Sequence, residues 1–276
     1  MKRLLLILLV LGLVLAGCAD DADDAAADAA ADTEFVDGTY TAAYDYADSR
    51  GWRAFLQINV DGGVITDVDF DYVNADGTRK SEDEGYNQRW QGALEEDIDM
   101  NIARDTFAEQ LIDRQSVPID VVSGATGSSE LMNELGDAAL ERAREGNTEL
   151  AIVPYDLTVT AEDEEDERGW TARVELSFED GELVAVDYDE VEYDDDGEIV
   201  NRKSEDEAYA ERWEGADGIS QMEAFPELEQ RLLDAGGNPD EVDQVTGATG
   251  SWARFVDVVQ RALDNRESPD LPVTVN

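Results

Sequence analysis

Residues 79–92 read RKSEDEGYNQRWQG and residues 202–215 read RKSEDEAYAERWEG, identical at ten of fourteen positions and separated by 123 residues. A block this long and this charged marks an internal duplication. The duplication extends on both sides. Upstream, Arg50-Gly51-Trp52 returns as Arg168-Gly169-Trp170, and Asp69-Phe70-Asp71 as Asp187-Tyr188-Asp189, both shifted by 118. Downstream, DVVSGATGS (120–128) returns as DQVTGATGS (243–251), again shifted by 123. The five extra residues fall between VNADGT (73–78) and VEYDDDGEIVN (191–201), which read as two lengths of one hairpin loop. The period is too long for a solenoid, so two tandem domains are expected, 36–150 and 151–276.

Within each copy the hydrophobic pattern predicts strands first and helices after. Residues 38–46, 52–60 and 64–72 alternate apolar and polar, with Asp61-Gly62-Gly63 as a hairpin turn. The second copy offers 154–160, 170–178 and 182–191, with a turn at Glu179-Asp180-Gly181. Helical stretches follow near 102–115 and 127–145, and near 222–235 and 250–264. The expected fold class is α+β: two tandem repeats, each a small antiparallel sheet with helices packed on it.

The N-terminus reads MKRLLLILLVLGLVLAGC, with Lys2 and Arg3 ahead of an apolar run too short to span a bilayer stably. Its end, Leu15-Ala16-Gly17-Cys18, resembles a bacterial lipobox, which implies a signal peptide over 1–17 and an acylated Cys18. Two acyl chains hold a protein at a membrane where one does not. Residues 19–34 carry only Ala, Asp, Thr and Glu, so 18–35 is expected to be a lipidated cysteine followed by a flexible acidic tether. The expected location is the outer face of the cytoplasmic membrane.

Composition narrows the chemistry. The 276 residues hold 68 acids against 20 Lys and Arg, a formal charge of −48, with no histidine and one cysteine. Loss of Lys2 and Arg3 with the signal peptide takes the charge to −50. Imidazole catalysis, His-ligated metals, internal disulfides and thiolate clusters are excluded. Nucleic acid is repelled and is not expected as a partner. Surface carboxylates at this density suit a high-salt, halophilic setting, where salt screens their repulsion. No metal site is expected. Glu192 to Lys203 imitates a calcium loop through Asp194, Asp196 and Gly197, but Lys203 stands where that loop needs a bidentate Glu. Hard chemistry must come from carboxylates, hydroxyls or a cofactor, and no dedicated catalytic residue emerges.

Asp120-Val121-Val122-Ser123-Gly124-Ala125-Thr126 and Asp243-Gln244-Val245-Thr246-Gly247-Ala248-Thr249 each precede an amphipathic segment. Small residues and a Gly at a helix mouth let backbone N–H groups close on an anion. An ordinary N-cap turn uses the same residues, though duplication of the whole string asks for more than capping. The pattern Asp-x-x-Ser/Thr-Gly-Ala-Thr resembles the flavinylation motif of the FMN-binding domain family. That family includes flavinylated subunits of the sodium-pumping NADH:quinone reductase and Rnf complexes, and extracellular lipoproteins of Gram-positive bacteria. The resemblance implies two FMN groups, linked through their phosphates to Thr126 and Thr249 by a flavin transferase that uses FAD as donor. It implies that Asp120, Ser123, Gly124 and Ala125 shape the first site, and Asp243, Thr246, Gly247 and Ala248 the second. Ser128 and Ser251 match the further hydroxyl residue often found two positions on.

Two other sets of residues follow the duplication. After loss of the signal peptide the only lysines are Lys80 and Lys203, each 46 residues before its Thr. Each could stabilise negative charge at a reduced flavin, or simply pair with an acid such as Glu82 or Glu205. Trp90 and Trp213, in a polar and less regular segment, offer flat faces for an isoalloxazine ring. Trp52 and Trp170, on predicted strands, read as core.

The expected function is a membrane-anchored extracytoplasmic flavoprotein that transfers electrons. A membrane dehydrogenase or quinol pool would supply them, and acylated Cys18 would hold the chain to the lipid bilayer. A non-redox substrate-binding or adhesive lipoprotein and a flavin-dependent extracellular reductase are the alternatives. The duplication of the candidate polar residues favours a carrier over a substrate-specific enzyme.

Overall fold

The computed structural model describes residues 35–93 and 98–273. The signal peptide, the acidic tether and Cys18 lie outside the described residues.

Copy 1 opens with β1 (Gly38–Tyr44), β2 (Arg53–Asp61) and β3 (Val64–Val73), an antiparallel meander, followed by α1 (Glu84–Ala93), α2 (Met100–Arg114) and α3 (Thr126–Glu145). Copy 2 repeats the plan. A short strand, β4 (Ala151–Val153), comes first, then β5 (Leu157–Glu162), β6 (Thr171–Glu179), β7 (Glu182–Tyr193) and β8 (Ile199–Arg202). Helices α4 (Glu207–Asp217), α5 (Gln221–Asp234) and α6 (Thr249–Asp264) complete it. The result is α+β with two four-stranded sheets, ordered β3-β2-β1-β4 and β5-β6-β7-β8.

The alternating residues face where their pattern requires. Tyr40, Leu56, Ile58, Phe70 and Tyr72 of the first sheet meet Phe107 and Leu111 of α2 and Met132, Leu135 and Leu140 of α3. Val174, Leu176 and Tyr188 of the second sheet meet Phe225, Leu228 and Leu232 of α5 and Phe255, Val258 and Val259 of α6. Phe35, at the expected end of the tether, is buried in the first core. Gly136 lets α3 approach the preceding loop closely, since a Cβ there would sit 2.5 Å from Val117 Cγ1.

Three features depart from the expected plan. The first sheet is mixed rather than antiparallel, because β4 pairs with β1 in parallel, Ala42 opposite Ala151 and Tyr44 opposite Val153. These three residues lie at the start of the second repeat yet complete the first sheet. Next, the segments around Trp90 and Trp213 are helices, α1 and α4, although they lack an aliphatic stripe. Among the residues of α1 only Asn87 is buried. Its amide donates to Lys80 O, Ser81 O and Asp83 O and accepts from Met100 N, so a polar anchor replaces an apolar face. Copy 2 has Ala210 there, and Gln221 of α5 donates to Lys203 O and Asp206 O instead. Finally, the C-terminal segment returns to copy 1. Glu267 O accepts from Ala47 N, Ser268 Oγ donates to Asp45 O, and buried Arg53 donates to Pro269 O. Leu271 and Val273 pack on Ala43, Phe55 and Val73, and the Arg266 guanidinium lies over Tyr46 of one copy and Phe178 of the other.

The five extra residues lengthen the β7–β8 hairpin as the repeat alignment requires. Asp194 Oδ1 accepts from Asp196 N and Glu198 N, just as Asn74 Oδ1 accepts from Asp76 N and Thr78 N in copy 1. The calcium-like spacing is therefore an Asx-type hairpin turn.

Candidate functional site

Each site starts from a buried aspartate. Asp71, fully buried on β3, accepts from Ser81 N at 3.2 Å and Ser81 Oγ at 2.5 Å. Asp189 on β7 accepts likewise from Ser204 N at 3.1 Å and Ser204 Oγ at 2.5 Å. The duplicated Asp-x-Asp and Arg-Lys-Ser strings thus meet in space: the aspartate clamps the single 3₁₀ turn, Lys80–Glu82 or Lys203–Glu205, whose first residue is the lysine. Arg79 and Arg104 add ion pairs to Asp71 in copy 1, and Arg202 pairs with Asp189 in copy 2.

The helix that follows carries two aromatics four residues apart, hence on one face. In copy 1 Trp52 meets Tyr86 with centroids 6.1 Å apart, and Tyr86 meets Trp90 at 5.8 Å, both edge-to-face. In copy 2 Trp170, Tyr209 and Trp213 form the same ladder at 6.0 Å and 6.0 Å. Trp52 and Trp170 are buried, as core residues should be, but they also complete the lysine's cage. Lys80 Nζ lies 5.4 Å from the Trp52 ring, 4.9 Å from Tyr86 and 3.7 Å from Tyr72. Lys203 Nζ lies 5.0 Å from Trp170 and 4.8 Å from Tyr209. Such contacts stabilise a desolvated cation. Neither lysine pairs with Glu82 or Glu205, and Lys203 pairs with Glu190.

The far end of each ladder fastens the Gly-Ala-Thr turn. Trp90 Nε1 donates to Gly124 O at 3.1 Å, and Trp213 Nε1 donates to Gly247 O at 3.1 Å. Both glycines have left-handed backbones, φ +76° and +89°, which a side chain would strain. Ala125 N and Ala248 N close the turns on Val122 O and Val245 O, and both alanines are buried N-caps. Thr126 and Thr249 are the first residues of α3 and α6, and both are exposed. Ser123 and Thr246 are exposed on the turns. Asp120 and Asp243 stand further back and tie the loop to the preceding helix: Asp120 pairs with Arg114, and Asp243 O accepts from Arg231 Nη1.

Room for a ligand exists beside the second turn. A cavity of about 490 Å³ is lined by Gly247, Gly250, Ser251, Tyr209, Trp213, Lys203, Glu190, Arg254, Arg168, Arg212 and Asp166. This is within the ~300–1,000 Å³ typical of small-molecule sites, and it combines aromatic faces with several cations. Thr126 and Thr249 are exposed, and a Cβ added at the following Gly127 or Gly250 would meet nothing within 4 Å. The long helices behind them favour an anion at that point.

Burial sets the protonation behaviour. It lowers Lys80 to about 8, against the opposing pull of Asp48. It raises Tyr72, despite a bond with Ser128, and raises Tyr86. Burial works against the charge of Arg254, yet the bond to Asp163 and the field of Glu190 hold its guanidinium above its usual range. Tyr72, Glu190 and Arg254 are site residues that the repeat does not reveal, because the copies differ at those positions. Their signal is adjacency: Tyr72 and Glu190 directly follow the clamping aspartates.

Comparison with known proteins reaches the second of these sites. A sequence profile of the FMN-binding domain matches residues 169–264. The 15 kDa lipoprotein of Treponema pallidum is 36% identical over 116 residues, 42% of this chain and 81% of that protein. Among solved structures, the CPE2226 protein of Clostridium perfringens is 34% identical, covering 44% of this chain and 98% of that one, with a TM-score of 0.42. A Clostridium thermocellum protein solved by NMR is 26% identical, covering 39% and 91%, with a TM-score of 0.28. Taken with the duplicated Gly-Ala-Thr turns, the match over most of the Treponema lipoprotein shows that this chain belongs to the FMN-binding domain family.

Proposed function

We propose that the protein is a membrane-anchored extracytoplasmic electron carrier with two FMN groups, bound through their phosphates to Thr126 and Thr249. The observation that carries this reading is the repeated placement of an exposed threonine at the first position of a long helix. In each copy a left-handed glycine precedes it, and a tryptophan N–H holds that glycine's carbonyl. Bound there, FMN supplies one- and two-electron redox chemistry that no side chain of this chain offers. The helix N-termini receive the phosphate, Trp90 and Trp213 with their ladder tyrosines present flat faces, and Lys80 and Lys203 hold positive charge beside them.

Anchoring is supported by the lipobox-like Leu15-Ala16-Gly17-Cys18 and by likeness to a protein named as a lipoprotein. Cys18 would enter the bilayer through its acyl chains, leaving the folded copies on the outer face of the cytoplasmic membrane. Covalent attachment suits that place, since a free flavin diffuses away. A flavin transferase using FAD would load both sites, and a membrane dehydrogenase or quinol pool would reduce them. The test is intact-mass analysis after co-expression with a flavin transferase. Wild type is expected to gain two FMN phosphoester adducts, and Thr126→Ala and Thr249→Ala one each. Three unmodified masses would refute the covalent linkage.

A further inference from the structure

The two copies differ along one wall of the site. Strand β3 carries Tyr72 where β7 carries Glu190, and α3 carries Leu131 where α6 carries Arg254. In copy 2 the lysine's charge is spent. Lys203, 4% exposed, pairs with Glu190, 2% exposed, which also accepts from Ser251 Oγ at 2.6 Å and Arg254 Nη1 at 3.0 Å. Arg254 in turn is held by Asp163 at 2.6 Å and 2.7 Å.

In copy 1 the corresponding cation has no direct ion pair, only the more distant fields of Asp48 and Asp71. Lys80 is only 6% exposed, aromatic faces enclose it, and among the described residues no carboxylate oxygen pairs with it within 4.0 Å. Tyr72 turns its hydroxyl to Ser128 Oγ at 2.8 Å. The acids whose fields reach Lys80 are engaged elsewhere. Asp48 Oδ1 accepts from Arg50 N and Trp52 N, and Asp71 is bound by Ser81 and Arg104. A buried cation without a counter-ion is costly. Copy 2 shows, in the same chain, the counter-ion that copy 1 lacks.

We propose, building on the reading that both copies carry FMN, that Lys80 is a charge-tuning residue and that the first site has the higher reduction potential. Reduction adds negative charge to the flavin. An unpaired cation in a low-dielectric wall stabilises that charge, whereas a cation already neutralised by Glu190 does so far less. The equilibrium for moving two electrons from the reduced second FMN to the oxidised first FMN therefore lies toward the first. The second is oxidised as the first is reduced, protons exchange with water, and no bond of the chain is made or broken.

The test uses the two single-adduct proteins, Thr249→Ala with the first FMN and Thr126→Ala with the second, each verified by mass and titrated spectroelectrochemically at pH 7. The first site is expected to be higher by at least a tenfold exchange constant, about 30 mV for a two-electron couple. Tyr72→Glu in the Thr249→Ala protein should lower its potential toward the second site. Lys80→Gln should do the same, and Lys80→Arg should retain the higher value. Equal or inverted potentials in the two parent proteins, with both adducts present, overturn the inference and leave the flavin reading intact. Absence of the adducts overturns the covalent linkage on which this inference rests.

Discussion

The two copies solve one construction problem with different materials. Both clamp a lysine-bearing turn with a buried aspartate, and both run a Trp-Tyr-Trp ladder from that lysine to the Gly-Ala-Thr turn. Around this shared frame, copy 1 packs rings and hydrocarbon against the cation, and copy 2 packs charges. The frame is what the two copies share. The walls are free to diverge, and divergence of walls under a fixed frame is how a duplicated site acquires two settings.

The largest effect is expected on removing the clamp from each copy. Asp71 meets Ser81, Arg79 and Arg104, whereas Asp189 meets Ser204 and a single, more distant arginine, Arg202 at 3.7 Å. Truncating one partner of a buried charged network costs about 3–5 kcal/mol. Asp71→Ala should lose that much in chemical denaturation, and Asp189→Ala measurably less. Equal losses would mean that the surrounding arginines contribute nothing.

A second contrast lies in pH. Lys80 sits at about 8, lowered from 10.5 chiefly by burial, with Asp48 and Asp71 opposing the shift and Arg50 assisting it. Between those pH values the unfolded chain binds more protons than the folded one, so stability from this group rises with pH through the window. Wild type compared with Lys80→Gln should show a gain on the order of 2–3 kcal/mol between pH 8 and 10.5. Tyr72→Glu should remove most of that difference by supplying the missing counter-ion.

The smallest effect belongs to copy 2. Glu229 of α5, where copy 1 has Ala108, donates nothing but accepts from Tyr188 N, and burial raises it to about 7 from 4.5. A raised carboxyl makes the folded state the better proton binder between those values, so stability falls as pH rises from 4.5 to 7. Because Glu229 is only partly buried, solvent screening reduces the expected loss to about 1 kcal/mol. Glu229→Gln should flatten that slope in denaturation midpoints.

Much of this arrangement is legible in residues alone. Alternation at 38–46, 52–60 and 64–72 found the meander, and the paired Gly-Ala-Thr strings found both turns, because these signals are local and repeated. Helices α1 and α4 escaped, since Asn87 of α1 and Gln221 of α5 fix the turns that lead into them by hydrogen bonds, and aliphatic periodicity has nothing to register. Strand β4 escaped because three residues carry no period, and its partner β1 lies more than a hundred positions upstream. Tyr72 and Glu190 escaped for the opposite reason: comparison of repeats rewards sameness, and their meaning lies in the difference.

The returning C-terminal segment has a consequence for timing. Arg53 waits for Pro269, 216 residues later in the chain. At ~5–20 residues per second, synthesis separates the two by roughly 10–40 s. Through that interval the outer face of the first sheet, at Ala43, Phe55 and Val73, lacks its cover of Leu271 and Val273. The copy made first is thus the one finished last, and a chain cut short in its final residues leaves its earliest domain incomplete.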